Sequence, residues 1–202
     1  KELQNLINNL KGDRIGIIVF SGEGYTQLPL TSDYSAALML TDVIDAGMAP
    51  TPGTAIGAAI TLARESFEKE EGKFKSIVII TDGENHEDDP VAAANEAAEE
   101  GIVIHTIGMG SLEGAPIPEA GGGGQSSYKK NADGELVLSR LDAETLKKIA
   151  AATGGTFTQA RSGRDNLATV FDEIERMEKK EFGTKQFTDY EDRFQYLVLL
   201  GL

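Results

Sequence analysis

Three apolar runs most constrain how this chain can fold: RIGIIVF at 14–20, SIVIITDG at 76–83 and IVIHTIGMG at 102–110. None alternates apolar with polar residues as a strand with one wet face does, so each suits a strand covered on both sides. The segments between them have helical periodicity. A helix is expected from near Thr54, with Ile56, Ile60, Ala63 and Phe67 on one face at spacings of four, three and four. Residues 32–47 read as a helix with Ser32 or Asp33 as cap and Gly47 as stop, and Pro90 opens another that Gly101 ends. This alternation predicts an α/β fold, doubly wound, with a mainly parallel sheet and helices on both faces.

The remaining segments fit around that frame. YTQLPL at 25–30 contains Pro29, which removes a ladder donor and places the run on a sheet edge. KELQNLINNL carries Leu3, Leu6, Ile7 and Leu10 at helical spacing with no capping residue before Lys1, so this helix is expected to start upstream. Residues 111–131 are irregular and include GGGG at 121–124. YKKNADGELVLSR reads as a hairpin turning at Asp133-Gly134. Asp142 caps the next helix, TFTQA is a short strand, and residues 165–180 form a last amphipathic helix.

At 202 residues and 40% apolar, the chain can bury a real core. Nineteen Lys and Arg against 33 Asp and Glu leave a net charge of −14, the wrong sign for a nucleic-acid partner and a suitable one for cations or basic partners. With no cysteine there is no disulfide framework, thiolate metal site or thiol nucleophile.

In such folds ligands bind at the carboxyl ends of the strands, where Ser21, Asp82 and Gly108 fall. Asp82 directly follows its apolar run; it can make a turn or ligate a cation. Thr54 precedes an apolar-periodic run and on its own reads best as a helix N-cap. Together, one hydroxyl and one carboxylate suit a hard cation such as Mg²⁺, which takes oxygen ligands and keeps waters. Residues 84–100 hold seven acids and no Lys or Arg, and most of these read as a solvated face. His86 is expected on that surface and His105 in the core. No P-loop, dinucleotide fingerprint, nucleophile elbow or H-E-x-x-H pair occurs.

In order along residues 10–180, RIGIIVF, YTQLPLT, the helix after SDYSAA, GTAIGAAI, SIVIITDGENH and the later GAPIP resemble the von Willebrand factor type A (VWA) domain. More narrowly, they are similar to the BatA and BatB branch of bacterial aerotolerance-operon membrane proteins. The resemblance implies a Rossmann-like fold with a metal-ion-dependent adhesion site built from three loops. Thr54 matches the threonine of the second loop and Asp82 the aspartate of the third. The first loop, Asp-x-Ser-x-Ser, is absent from residues 1–202, and the first central strand that carries it is expected upstream of Lys1. The domain would span residues 1–180, with a linker at 181–193. FQYLVLLGL at 194–202 reads as the start of a transmembrane helix; filling the vacant strand position is the alternative.

By the same resemblance, Mg²⁺, or else Mn²⁺ or Ca²⁺, bridges this site to a carboxylate on a protein partner, and without the first loop the site of this chain is expected to be incomplete for it. Related VWA proteins and a MoxR-type ATPase are the implied partners. Flanking helices would anchor the domain at the bacterial cytoplasmic membrane, facing the periplasm. No turnover is needed, so the chain reads as a non-enzyme. Two rival readings stand: a Mg²⁺-dependent hydrolase or phosphoryl-transfer domain using Asp82, and a structural scaffold without a working metal site.

Overall fold

A computed structural model describes residues 2–10, 12–44, 53–67, 74–85, 88–116, 118–119, 127–128, 130, 134–136, 138–160, 170, 172–174 and 176. In chain order the first half comprises α1 (Glu2–Asn9), β1 (Ile15–Phe20), β2 (Gly24–Thr31), α2 (Tyr34–Val43), α3 (Ile56–Ser66), β3 (Lys75–Thr81) and α4 (Pro90–Glu99). The second comprises β4 (Ile102–Gly108), β5 (Ala115–Pro116), β6 (Pro118–Glu119), β7 (Ser127–Tyr128), β8 (Leu138–Ser139), α5 (Ala143–Thr153) and β9 (Phe157–Gln159).

Strands β3 and β4 run parallel in unbroken register from Lys75 opposite Ile102 to Thr81 opposite Gly108, and β9 joins the other edge of β4 in parallel. The β-branched runs become these strands because helices cover them: α5 and α4 lie against β4, and α3 packs on α4. Ile56, Ile60, Ile79, Ile102, Ile104, Leu146 and Ile149 form the shared core. The expected edge strand is β2, paired antiparallel with β1, with Pro29 exposed. Helix α2 lies against this pair and α1 against α2.

Three helices begin on the acids that local sequence offers. Asp33 accepts from the Ala36 N–H at 3.1 Å, Asp89 from Val91 and Ala92 N–H at 3.1 Å each, and Asp142 from the Thr145 N–H at 3.1 Å. The stop expected at Gly47 lies outside the described residues, and α2 ends by Ile44.

The expected hairpin has its arms joined by an antiparallel bridge, Lys130 with Leu136, on either side of Gly134, and farther along the arms β8 pairs with β5 and β7 with β6. Both arms therefore find longer-range partners in the segment after β4, which a local turn signal cannot reveal. Asp133 and the four-glycine run lie outside the described residues, as do the expected linker and the 194–202 segment. Residues 171–202 form a separate unit, in which 172–174 and 176 are helical.

Among the described residues β1 pairs only with β2, and β3 only with β4. Residues of both strands line one cavity of about 320 Å³, with Ile15, Ile17, Ile77 and Ile79 on its strand walls and Leu3 and Ile60 on its helix walls. The expected vacancy for a central strand has its counterpart here. Ser76 also lines the cavity, and its buried hydroxyl has no hydrogen-bond partner among the described residues. A buried polar group left unpaired is costly.

Candidate metal centre

Strand β3 ends at Thr81 and delivers Asp82 to the carboxyl edge of the sheet. The chain turns at once. Gly83 has φ +80°, and a Cβ there would lie 2.7 Å from the Asp142 carbonyl oxygen, so both conformation and space demand glycine. The Thr81 hydroxyl accepts from the Gly83 N–H at 3.1 Å, and Asp82 Oδ1 from the Glu84 N–H at 3.4 Å. The Ser139 hydroxyl donates to Asp82 Oδ2 at 3.2 Å, and the Asp142 N–H donates to the Asp82 carbonyl at 2.9 Å. Asp82 thus makes the turn yet stays partly exposed, with carboxylate lone pairs to spare.

Thr54 is not the cap that its position suggests. Helix α3 starts at Ile56 with Ala55 at the N-cap, and no side chain of that local segment caps it. The first-turn N–H groups are satisfied from across the fold. Asn85 Oδ1 accepts from Ile56 N–H at 3.1 Å, Asp88 Oδ1 from Gly57 N–H at 3.0 Å and Asp88 Oδ2 from Ala58 N–H at 2.7 Å. Asn85 also donates to the Asp88 carbonyl at 2.7 Å, which stiffens the loop that carries both. On the other side, the Ala55 N–H donates to the Ser21 carbonyl at 2.6 Å.

Thr54 is therefore held between the end of β1 and the loop after β3, its hydroxyl relieved of capping. The bonds joining the Thr54 and Asp82 loops run through residues 56–58, 85 and 88, while the hydrogen bonds of the Asp82 carboxylate go to Ser139 and Glu84.

Three acids of the expected solvated face also bond within the fold, Asp88 and Asp89 while remaining exposed. Asp88 caps α3, Asp89 caps α4 and Glu84 Oε1 accepts from the Arg140 N–H at 3.1 Å. The only sequence signal for this was an α3 start with no good capping residue at position 55. Nothing in the sequence pointed to Ser139. His86 lies outside the described residues. His105 is fully buried in β4, as expected, with Nδ1 accepting from the Thr156 N–H at 3.2 Å and 2.9 Å from the Thr156 hydroxyl.

Asp142 braces the site from below through its bond to the Asp82 carbonyl. Burial raises its carboxyl pKa, but bonds from the Thr145 hydroxyl and N–H and the Glu144 N–H, with the Lys148 charge, outweigh that. They hold it below its ordinary 3.8.

The donors at Thr54 and Asp82 are all oxygens, the chemistry of a hard divalent cation. They are too few alone, and among the described residues no three His, Asp or Glu side chains form a cluster able to hold an ion.

Fold and loops define a doubly wound α/β domain with oxygen donors toward the carboxyl edge of its sheet, the edge at which such folds bind ligands. The chain matches the von Willebrand factor type A domain over residues 1–173, and it belongs to that family. BatB from Bacteroides thetaiotaomicron, a conserved hypothetical protein, is 39% identical, with 88% of this chain and 85% of that one covered at a TM-score of 0.81. An aerotolerance-related membrane protein from Bacteroides fragilis is 37% identical, with 87% and 85% covered at a TM-score of 0.78. An uncharacterized protein of Borreliella burgdorferi is 26% identical over 212 residues, and this chain spans 58% of its length. Among the described residues no helix is long and apolar enough to cross a membrane.

Proposed function

We propose that this chain is the partner-binding domain of a membrane-anchored aerotolerance-type protein, and that Thr54 and Asp82 supply two of the three loops of its metal-ion-dependent adhesion site. The observation that carries this reading is the capping of α3 by Asn85 and Asp88, which frees the Thr54 hydroxyl and ties its loop to that of Asp82. The cavity between β1 and β3 supports the rest: a central strand seated there would end beside these loops and bring the Asp-x-Ser-x-Ser segment to them.

Bound there, Mg²⁺, Mn²⁺ or Ca²⁺ supplies positive charge on an acidic surface and an open position for a partner's carboxylate. Thr54 and Asp82 hold the cation by oxygen, directly or through water. Ser139 orients the Asp82 carboxylate, and Asn85 and Asp88 fix where Thr54 stands. Binding needs no nucleophile or general base, so the domain is an interaction module and not an enzyme. Its partners on this reading are proteins, including related VWA proteins and a MoxR-type ATPase. The domain extends to about residue 180, and the segments beyond lead through a linker into a membrane helix that leaves it facing the periplasm.

Calorimetry of the full-length protein with Mg²⁺ and Mn²⁺ tests the reading. Binding that is lost in Thr54→Ala and in Asp82→Ala is the expected result. Wild-type protein that binds neither ion, or variants that bind as the wild type does, would leave the scaffold reading in its place.

A further inference from the structure

Ser139 lies 57 residues along the chain from Asp82, yet the arm that leaves β4 and returns through β8 brings its hydroxyl within 3.2 Å of Asp82 Oδ2. The backbone fixes it there. Just past Ser139, the Arg140 N–H donates to Glu84 Oε1 at 3.1 Å, the Leu141 N–H to the Ser111 carbonyl at 3.0 Å and the Asp142 N–H to the Asp82 carbonyl at 2.9 Å. Ser139 itself stands opposite Ala115 in the β5–β8 pair. Three successive amides and a strand pair therefore set its position, whatever its side chain does.

The hydroxyl uses its one proton on Asp82, and among the described residues neither of its lone pairs is engaged. No Lys or Arg among those residues forms an ion pair with Asp82 or Glu84, so no side-chain cation occupies this edge. Oxygens at right angles around Mg²⁺, each about 2.1 Å from the ion, stand about 3.0 Å apart, and around Ca²⁺ at about 2.4 Å they stand about 3.4 Å apart. The 3.2 Å that carries a hydrogen bond is thus also the spacing of two neighbouring ligands of one hard ion. Turning the hydroxyl hydrogen toward water is enough to present a lone pair beside Asp82, with no movement of the chain.

We infer that Ser139 is itself a ligand of the cation held at Asp82, an oxygen donor that the arm after β4 adds to Thr54 and Asp82. The inference rests on the adhesion-site reading for the presence of an ion at this edge. The third donor, and its origin in the arm, are its own addition. A hydroxyl keeps the donor set hard, which suits Mg²⁺, Mn²⁺ or Ca²⁺ over thiophilic metals. It also makes up part of the shortage of donors that Thr54 and Asp82 leave.

The test changes the softness of this one donor in the full-length protein and compares Mg²⁺ with Cd²⁺ by calorimetry, after melting curves have shown each variant folded. Residues 1–202 contain no cysteine, so Ser139→Cys introduces a thiol that can be read against the wild type as blank. This variant should bind Mg²⁺ about tenfold more weakly and Cd²⁺ about tenfold more tightly, with a thiolate-to-cadmium charge-transfer absorption in the ultraviolet. Ser139→Thr, which keeps the hydroxyl, should hold Mg²⁺ within about threefold of the wild type. A Ser139→Cys variant that loses Mg²⁺ but gains neither Cd²⁺ affinity nor the absorption would show that the hydroxyl only orients Asp82. That result, or Mg²⁺ binding untouched by the substitution, overturns the inference and leaves the adhesion-site reading standing. If the cadmium gain appears and ion binding is indifferent to Thr54→Ala, the adhesion-site reading fails and Ser139 remains a ligand. Wild-type protein that binds neither Mg²⁺ nor Mn²⁺ overturns both.

Discussion

The Asp88 carboxylate accepts a hydrogen bond from the Gly57 N–H at 3.0 Å, across 31 residues of chain, and caps a helix that its own sequence leaves uncapped. Ala58 donates to the second oxygen of the same group at 2.7 Å. The negative charge also sits at the positive end of the α3 dipole, so the contact fastens one loop of the candidate metal centre to another.

Asp88→Ala is expected to destabilise the fold by about 1–2 kcal/mol, the range for losing a helix N-cap. Urea unfolding should show a lower midpoint at unchanged slope. A midpoint within error of the wild type would mean that water caps α3 equally well.

Gly57→Ala should change sign with its surroundings. A Cβ at position 57 would lie 2.9 Å from the Asp88 carboxylate, so with Asp88 present the substitution should cost about 1 kcal/mol. With Asp88→Ala in place the same change should stabilise by about 0.5 kcal/mol, because alanine is the better helix former. Additive effects in the double-mutant cycle would contradict the close packing of this pair.

Ser139→Ala removes the hydroxyl that donates to Asp82 Oδ2 at 3.2 Å. In the full-length protein Mg²⁺ affinity should fall about tenfold with little change in thermal stability, as for other groups that orient a metal ligand. Unchanged affinity would show that Asp82 needs no such support.

The Asp142 carboxyl lies below its ordinary value of 3.8 in the folded protein. Folded chains therefore bind fewer protons than unfolded ones just below that value, and the stabilisation is complete above it and lost as pH falls through the lower, folded pKa. Asp142→Asn keeps a capping side chain but not the charge. Its deficit relative to wild type should be constant from neutral pH to about pH 5 and shrink below 3.8. A deficit that grows toward acid would show that the group is not held ionised.

Among the described residues strands β1 and β3 each lack a partner on the side of the cavity. Deuterium exchange should be fast at alternate amides of Lys75–Thr81, those not bonded to β4, and slow throughout the flanked core of β4. A chain in which a strand fills the cavity should protect those amides. Uniform protection of β3 in the 202-residue chain would contradict an open edge.

What was legible in the sequence was local. Two of the three apolar runs became the parallel strands β3 and β4, while the third, β1, pairs antiparallel with β2; Asp33, Asp89 and Asp142 announced their helices because a cap bonds N–H groups two or three residues ahead. The motif order assigned Thr54 and Asp82 to the sheet's carboxyl edge, and the family match spans both residues. Beyond the Lys130–Leu136 bridge of the hairpin expected around Gly134, the arms pair with residues 115–119, because such pairing is decided by which edges the fold leaves open. Asp88 read as one acid in a solvated run, and Ser139 gave no signal at all. Their roles depend on backbone N–H groups and a carboxylate brought close only by the assembled sheet and helices. Sequence periodicity determined the elements and the edge on which the site lies; tertiary packing decided which side chain caps α3, which hydroxyl holds Asp82 and what Thr54 is left free to do.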